Sequence, residues 1–82
     1  VWGLTKALST EFASKGITAN VISPGQIRKD GVQEDDPKRA GLIPAGVMGV
    51  STDIAAVAGF LATPEARFVT GQMIAVNGGE AT

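Results

Sequence analysis

The residues best suited to contact a ligand stand where an apolar segment ends. Residues Ile17 to Ile22 are apolar or β-branched apart from an asparagine, and the segment stops at Ser23-Pro24-Gly25. Pro24 lacks a backbone donor and Gly25 lacks a side chain, so the backbone can turn sharply and a flat ligand ring can approach it closely. Taken alone, a Pro-Gly pair is more typical of an ordinary turn. The elements around the pair decide between the two interpretations.

Other side chains with chemical potential are few. The sequence has no cysteine and no histidine, which excludes disulfides, thiolate metal sites and a histidine base within this chain. The acidic run Glu34-Asp35-Asp36 offers carboxylate oxygens, but three adjacent carboxylates on a flexible loop lack the fixed geometry of a metal site. We therefore predict a solvated loop here, and no metal-binding residue in this chain.

Composition limits the partners and the location of the protein. Seven Lys and Arg against eight Asp and Glu give a net charge of −1, which argues against nucleic acid and against an anionic membrane surface. No apolar stretch approaches the roughly 18 residues of a membrane span, and no basic leader opens the chain. We expect a soluble, cytoplasmic protein. Because the sequence starts in a helical pattern without Met, we also expect it to continue upstream in a longer parent protein.

Two helix-strand pairs must position the Pro24-Gly25 bend. The first helix is predicted over residues 1 to 15, ended by Gly16 in the left-handed C′ position, and the first strand covers residues 17 to 22. Large apolar side chains recur at helical spacing in the first element, which predicts a core stripe or a subunit contact. The members of this stripe are Val1, Leu4, Leu8 and Phe12.

The second pair follows a long connection without periodicity, residues 24 to 50, which is typical of a functional lid or a disordered segment. Ser51 or Thr52 is the expected cap of the second helix, with Asp53 in its first turn, and Pro64 ends it. Residues 72 to 76 form the second strand. The order helix, strand, long loop, helix, strand predicts an α/β fold with parallel strands, whose ligands bind at the carboxyl ends of the strands.

A series of short motifs follows in a fixed order along nearly all of the chain. They are Gly3-Leu4-Thr5, Glu11, Lys15-Gly16-Ile17, Asn20 with Pro24-Gly25 and Ile27, Asp53-Ile54-Ala55, Phe60-Leu61, Thr70-Gly71-Gln72, and Val76 with Gly78-Gly79. This pattern resembles the carboxyl-terminal portion of the short-chain dehydrogenase/reductase family, in particular its 3-oxoacyl-reductase-like members. The resemblance is weakest from 28 to 46. It implies the carboxyl-terminal part of a Rossmann-like, doubly wound parallel sheet.

The resemblance also implies roles for individual residues. In the family this strand end lies beside a nicotinamide, so Pro24, Gly25 and Ile27 are cofactor-binding candidates and Gln26 is a substrate-side candidate. Lys29 stands where the family often has a threonine that meets the nicotinamide carboxamide. Its backbone is a further cofactor-binding candidate, although its side chain is expected to face water. Asn20 is expected to tie neighbouring backbone together. Val47 replaces an arginine found in many members.

The family's catalytic residues are not in this sequence. They are a serine, and a tyrosine and lysine in a Tyr-x-x-x-Lys pattern, whose lysine would lie three residues before Val1; this chain has no tyrosine. The glycine-rich phosphate turn is missing too. The resemblance therefore implies an inactive fragment of an active parent, a homo-oligomer that uses NAD or NADP on a small hydroxyl or carbonyl substrate. The alternatives are a noncatalytic assembly module and an inactive relative.

Overall fold

The computed structural model describes residues 1–80, which alternate helices with short strands. The helices are α1 (Trp2–Phe12), α2 (Pro37–Ala40) and α3 (Ser51–Leu61), the strands are β1 (Val21–Pro24) and β2 (Met73–Val76), and 3-10 turns cover Ala13–Lys15 and Pro64–Ala66. The strands form a two-stranded parallel sheet with Val21 opposite Met73 and Pro24 opposite Val76. The predicted α/β class and parallel pairing are confirmed.

The first helical segment ends at Gly16 as its sequence predicts, although α1 itself ends at Phe12 and the 3-10 turn Ala13–Lys15 completes the segment. Helix α1 also buries a different face from the one predicted. Gly16 adopts a left-handed conformation with φ 76° and closes the last turn through its N–H to the Ala13 carbonyl. The predicted apolar stripe does not form a core within residues 1–80, because Leu4 is 65 % exposed and Val1 is nearly fully exposed. The buried residues of α1 are instead Thr5 and Ser9. The alternative interpretation of the stripe, as a contact surface, stays a prediction.

The first strand begins later than predicted. Residues 17 to 20 lie outside the sheet, and the ladder starts at Val21, whose N–H donates to the Gln72 carbonyl at 2.9 Å. The preceding backbone is occupied elsewhere, since the Ala19 N–H donates to Thr70 Oγ1 and the Ala19 carbonyl accepts the Gly71 N–H. The prediction of a strand over residues 17 to 22 is therefore wrong at both ends. The second strand agrees with its prediction to within one residue.

Helix α3 packs against β1 and starts with a different cap from the one predicted. Val50 occupies the N-cap position, so neither Ser51 nor Thr52 caps the helix. Asp53, three residues on, accepts the Val50 N–H at 2.8 Å and so satisfies the backbone at the start of the helix. The favourable position of Asp53 in the first turn is confirmed, and the serine or threonine cap is wrong.

The described chain is open rather than tightly packed. Its radius of gyration is 15.0 Å, against about 12 Å expected for a compact domain of this length. Its accessible surface is 5751 Å², against about 4,600 Å² for a folded monomer of this mass. Phe68 is 91 % exposed. Apolar surface therefore remains available for contact with further protein.

Within residues 1–80, no helix combines the length and apolar character required to cross a membrane.

Candidate functional site

The site lies where the carboxyl ends of β1 and β2 meet. The Gly25 N–H donates to the Val76 carbonyl at 3.1 Å, which carries the pairing one step beyond Pro24. A Cβ atom at Gly25 would stand 2.6 Å from Asn77 Cβ and 2.8 Å from Asn77 Cα. A glycine is thus required at position 25, because Asn77, the residue that follows β2, approaches it closely. The space of its missing side chain is filled by Asn77, whereas the sequence suggested room for a ligand ring.

The turn after β2 supports the long loop. Asn77 holds this turn with both ends of its amide, since Oδ1 accepts the Gly79 N–H at 3.0 Å and Nδ2 donates to the Glu80 carbonyl at 2.7 Å. Gly78 adopts φ 64° and lies against Ile43, and its carbonyl accepts the Ala45 N–H at 3.0 Å. The loop is therefore seated on the carboxyl edge of the sheet, where the parallel fold places ligand sites.

A short bridge closes the loop at its base. The Gly49 N–H donates to the Gln26 carbonyl at 2.9 Å, and the Arg28 N–H donates to the Gly49 carbonyl at 2.8 Å, which pairs Ile27 with Gly49 in parallel. A Cβ at Gly49 would meet Ile27 Cδ1 at 2.7 Å. In this pattern Ile27 directs its own N–H and carbonyl away from Gly49. The bridge thus leaves one donor and one acceptor of Ile27 for another partner.

Two cavities flank this bridge. The first, which we call the apolar cavity, has a volume of about 310 Å³. It is lined by Gln26, Ile27, Ile43, Ala45, Val47, Met48, Gly49, Asp53, Val76, Asn77 and Gly78. The second, the charged cavity, has a volume of about 370 Å³. It is lined by Arg28, Lys29, Val32, Glu34, Asp35, Asp36, Arg39 and Met48. Both volumes fall in the lower range of ligand pockets, about 300–1,000 Å³.

Met48 borders both cavities and belongs to the small apolar core of the loop. It is buried together with Ala40 and Ile43. A methionine side chain fills irregular space because it has three rotatable bonds and no branch. This cluster gives the segment after α2 a fixed position between the two cavities.

The acidic run is solvated at Glu34 and Asp36, as predicted, but Asp35 and Asp36 also make structural contacts that the sequence did not predict. Asp35 Oδ1 pairs with Arg28 Nη1 at 3.3 Å, and Asp35 Oδ2 accepts the Met48 N–H at 3.0 Å. Asp36 caps α2 by accepting the Lys38 N–H at 2.9 Å. Within residues 1–80, no group of three or more acidic, histidine or cysteine side chains is arranged to hold a metal ion.

Removal of the Asp35 carboxylate is expected to loosen the loop. Asp35→Ala loses both the Arg28 pair and the Met48 hydrogen bond, and two such bonds amount to roughly 1–3 kcal/mol, or about 5- to 150-fold in the open population. Trypsin cleavage after Arg28 and Lys29 should accelerate accordingly. The matched control is Glu34→Ala, since Glu34 is exposed and makes no hydrogen bond within residues 1–80. Equal cleavage rates for the two variants would contradict the assigned role of Asp35.

Asn20 connects the backbone segments that precede the two strands, in agreement with its predicted role. Its Nδ2 donates to the Val69 carbonyl at 3.1 Å and its Oδ1 accepts the Gln72 N–H at 3.0 Å. Nearby, Ser9 of α1 shares a 2.9 Å hydrogen bond with Thr70. Asn20 therefore fixes the segment before β2 relative to β1, at the rim opposite the cavities.

The site candidates predicted from the sequence do not share one cavity. Gln26 and Ile27 line the apolar cavity, Lys29 lines the charged cavity, and neither cavity is lined by Pro24 or Gly25. Among the lining residues that the sequence reasoning did not assign to the site are Asp35, Arg39 and Met48. The capping pattern Asp-Pro at residues 36 and 37 was the one local signal for a helix in the loop, and it would have placed Arg39 in that helix.

Comparison with known proteins gives the class of this fold and site. The profile of the Enoyl-(Acyl carrier protein) reductase family matches residues 1–80. The chain belongs to this family of short-chain dehydrogenases/reductases, which confirms the resemblance seen in the sequence. Among individual proteins, it is 44 % identical over 81 residues to the 3-oxoacyl-[acyl-carrier-protein] reductase FabG of Salmonella typhimurium, a match that covers 94 % of this chain and 33 % of that protein.

Solved structures show the same fold. A blue fluorescent protein from a metagenomic library, in complex with NADPH, superposes with a TM-score of 0.85 and 37 % identity over 99 % of this chain and 34 % of that one. A short chain dehydrogenase from Bacillus anthracis superposes with a TM-score of 0.83 and 32 % identity over 96 % of this chain and 32 % of that one. The chain thus spans about a third of the length of the relatives that it matches.

Proposed function

We propose that residues 1–82 are the carboxyl-terminal part of one Rossmann-fold domain in an NAD(P)-dependent oxidoreductase. That parent protein moves a hydride between a nicotinamide and a small hydroxyl or carbonyl substrate. The chain supplies the wall beside the nicotinamide, the substrate and cofactor loop of residues 24–50, and contacts within a homo-oligomer. The cofactor-facing residues in this proposal are Pro24, Gly25, Ile27 and Lys29, and the substrate-facing residue is Gln26.

The observation that carries the proposal is the bridge at the carboxyl edge of the sheet. A nicotinamide is a flat ring with a carboxamide, so its wall needs an apolar surface beside one donor and one acceptor. Ile27 offers all three, since its side chain lines the apolar cavity and its N–H and carbonyl point away from Gly49. The residues present therefore fit this group. When bound, the nicotinamide supplies the hydride acceptor or donor.

The chain's own residues have distinct parts in this arrangement. Ile27 binds and orients the ring and its carboxamide, the loop seated on Gly78 excludes water from one side, and Gln26 contacts substrate. Lys29 offers its backbone N–H, which makes no hydrogen bond within residues 1–80. The proton exchanged with substrate comes from elsewhere in the parent protein, because this chain contains no tyrosine. By itself the 82-residue chain is expected to be inactive.

Three findings support the proposal. The family match and the FabG relative favour a reductase, and the NADPH in the metagenomic neighbour favours a nicotinamide dinucleotide. The exposed apolar stripe of α1 and the open shape are in keeping with further protein packed on this chain. The parent is expected to use NAD or NADP, the choice being made near the ribose by residues outside the wall described here.

Truncation of Ile27 tests the wall. In the parent protein, Ile27→Ala is expected to weaken binding of NADPH or NADH about 5- to 10-fold, because it removes apolar contact with the ring. Cofactor fluorescence titration measures the effect, and thermal unfolding checks that the variant is folded. Leu42→Ala is the matched control, since Leu42 is an exposed apolar residue of the same loop and lines neither cavity. Failure of the parent to bind either dinucleotide would overturn the proposal.

The assembly module remains the second candidate, favoured by one observation. Leu4 of the α1 stripe and Phe68 are both largely exposed in the same chain. Exposed apolar surface of this kind marks contact with other protein. Sedimentation of the parent together with the dinucleotide titration separates the two functions, because stable oligomers without any dinucleotide binding would favour assembly alone.

A further inference from the structure

A hydrogen bond between two side chains connects the walls of the two cavities. Arg39 of α2 donates from Nε to Oε1 of Gln26 at a distance of 2.7 Å. An arginine side chain has only donors, so it selects the oxygen end of the glutamine amide. Arg39 thereby fixes which end of the Gln26 amide is left for another partner.

The end that remains is the amino group. Gln26 Nε2 makes no hydrogen bond within residues 1–80. The other polar side chains lining the apolar cavity are engaged, since Asp53 accepts the Val50 N–H and Asn77 uses both ends of its amide in its own turn. Gln26 is thus the lining side chain whose donor is available to a ligand in this mostly apolar space.

Arg39 itself is held in place by the loop around it. Asp36 caps the start of α2, Pro37 occupies its first turn, and Ala40 after Arg39 is buried in the loop core. Asp35, one residue before the cap, is tied to Arg28 and to the Met48 N–H. Fixed donors and acceptors discriminate between ligands better than mobile ones because less order is lost on binding.

We propose that Arg39 is a positioning residue that presents the Gln26 amino group to the substrate. The preferred substrate then carries an acceptor oxygen in addition to the oxygen at the reacting carbon. This inference rests on the proposed function, because it deepens the substrate class of the same site. It assigns specificity to a residue outside the proposed cofactor-facing set.

Paired ketones test the inference on the parent protein. Each pair consists of a straight-chain ketone and the analogue in which an ether oxygen replaces one methylene group, with the position of the oxygen varied along the series. The wild type should prefer the ether at one position. Arg39→Met should reduce that preference about 3- to 10-fold through KM, with kcat little changed, and Gln26→Leu should abolish it. The double variant should lose no more than Gln26→Leu alone.

Controls separate positioning from loss of charge. Lys38→Met removes a positive charge from the same short helix but no side-chain hydrogen bond, so it should keep the ether preference. Side-chain amide signals of Gln26 in nitrogen-15 NMR, assigned by their loss in Gln26→Leu, should move to unrestrained values in Arg39→Met and stay in Lys38→Met. Unchanged signals in Arg39→Met, or equal losses for both ketones of each pair, would overturn the inference. Reduction of neither ketone with either dinucleotide would overturn the proposed function as well.

Discussion

Alanine at position 25 is expected to destabilise the parent protein by about 2–3 kcal/mol, because the added Cβ has to displace backbone rather than a flexible side chain. Its neighbours would be Asn77 Cβ at 2.6 Å and Asn77 Cα at 2.8 Å, both in the exit of the adjacent strand. For a domain of about 250 residues this corresponds to a fall of roughly 5–10 °C in Tm. Differential scanning calorimetry measures the effect directly.

Gly59→Ala is the matched control for this prediction. Gly59 lies inside α3, and a Cβ there would meet nothing within 4 Å. Since alanine favours a helix interior over glycine by about 1 kcal/mol, this variant should raise Tm slightly. A Gly25→Ala protein as stable as the wild type would show that Gly25 and Asn77, at the carboxyl ends of the two strands, lie further apart than this contact requires.

The same contact affects how cofactor binding is tested. A large residue at position 25 would push apart the ends of both strands, so loss of NADPH binding in such a variant has a structural cause whether or not Gly25 touches the ring. Ile27 is the better probe of the wall, because its side chain lines the apolar cavity while its backbone remains in the bridge with Gly49.

Replacement of Asn20 by leucine is expected to have the second large effect on the stability of the parent protein. The variant keeps the size of the side chain and removes both long-range hydrogen bonds, leaving the Val69 carbonyl and the Gln72 N–H without their partner. We expect a loss of about 1–3 kcal/mol in the free energy of unfolding, most of it from the part-buried Val69 carbonyl, because water can replace Asn20 at the exposed Gln72 N–H. Chemical denaturation of the parent protein gives the stability, and hydrogen exchange of the Gln72 N–H reports the local opening.

Two further variants sharpen this result. Asn20→Asp keeps the acceptor for Gln72 but sets a carboxylate against the Val69 carbonyl, so it should also destabilise the protein. Gln33→Leu is the control, because the Gln33 side chain is exposed and forms no hydrogen bond within residues 1–80. If Asn20→Leu cost no more than Gln33→Leu, Asn20 would not be the clamp between the strand entrances.

Local signals in the sequence were sufficient to predict much of the fold. The end of the first helical segment at Gly16, after the 3-10 turn that follows α1, was predictable from one residue that tolerates positive φ. The second strand is bounded by turn residues on both sides. The parallel arrangement was predictable from the order of elements, since a helix that crosses over between two strands of one sheet returns the chain in the same direction. Asn20 was identified because the amide of an asparagine in a segment expected to be buried must find partners.

Long-range contacts account for what the sequence did not predict. The first strand starts at Val21 because Thr70 and Gly71 occupy the backbone at Ala19, about 50 residues away in the chain. Asp35 and Arg39 bind partners up to 13 residues distant in a segment that has no periodicity. The stripe of α1 was correctly recognised as apolar, but apolar character alone does not say which protein surface covers it.

The bridge between Ile27 and Gly49 allows the segment between these residues to be replaced by segments of other lengths. Its two ends are fixed side by side, so a longer insert adds little closure entropy, about 0.6 kcal/mol for each doubling of length. The sequence resemblance to the family is weakest in this same interval, residues 28 to 46. We expect segments of other lengths, transplanted between these two anchors, to alter the choice of substrate while the sheet beneath keeps its register.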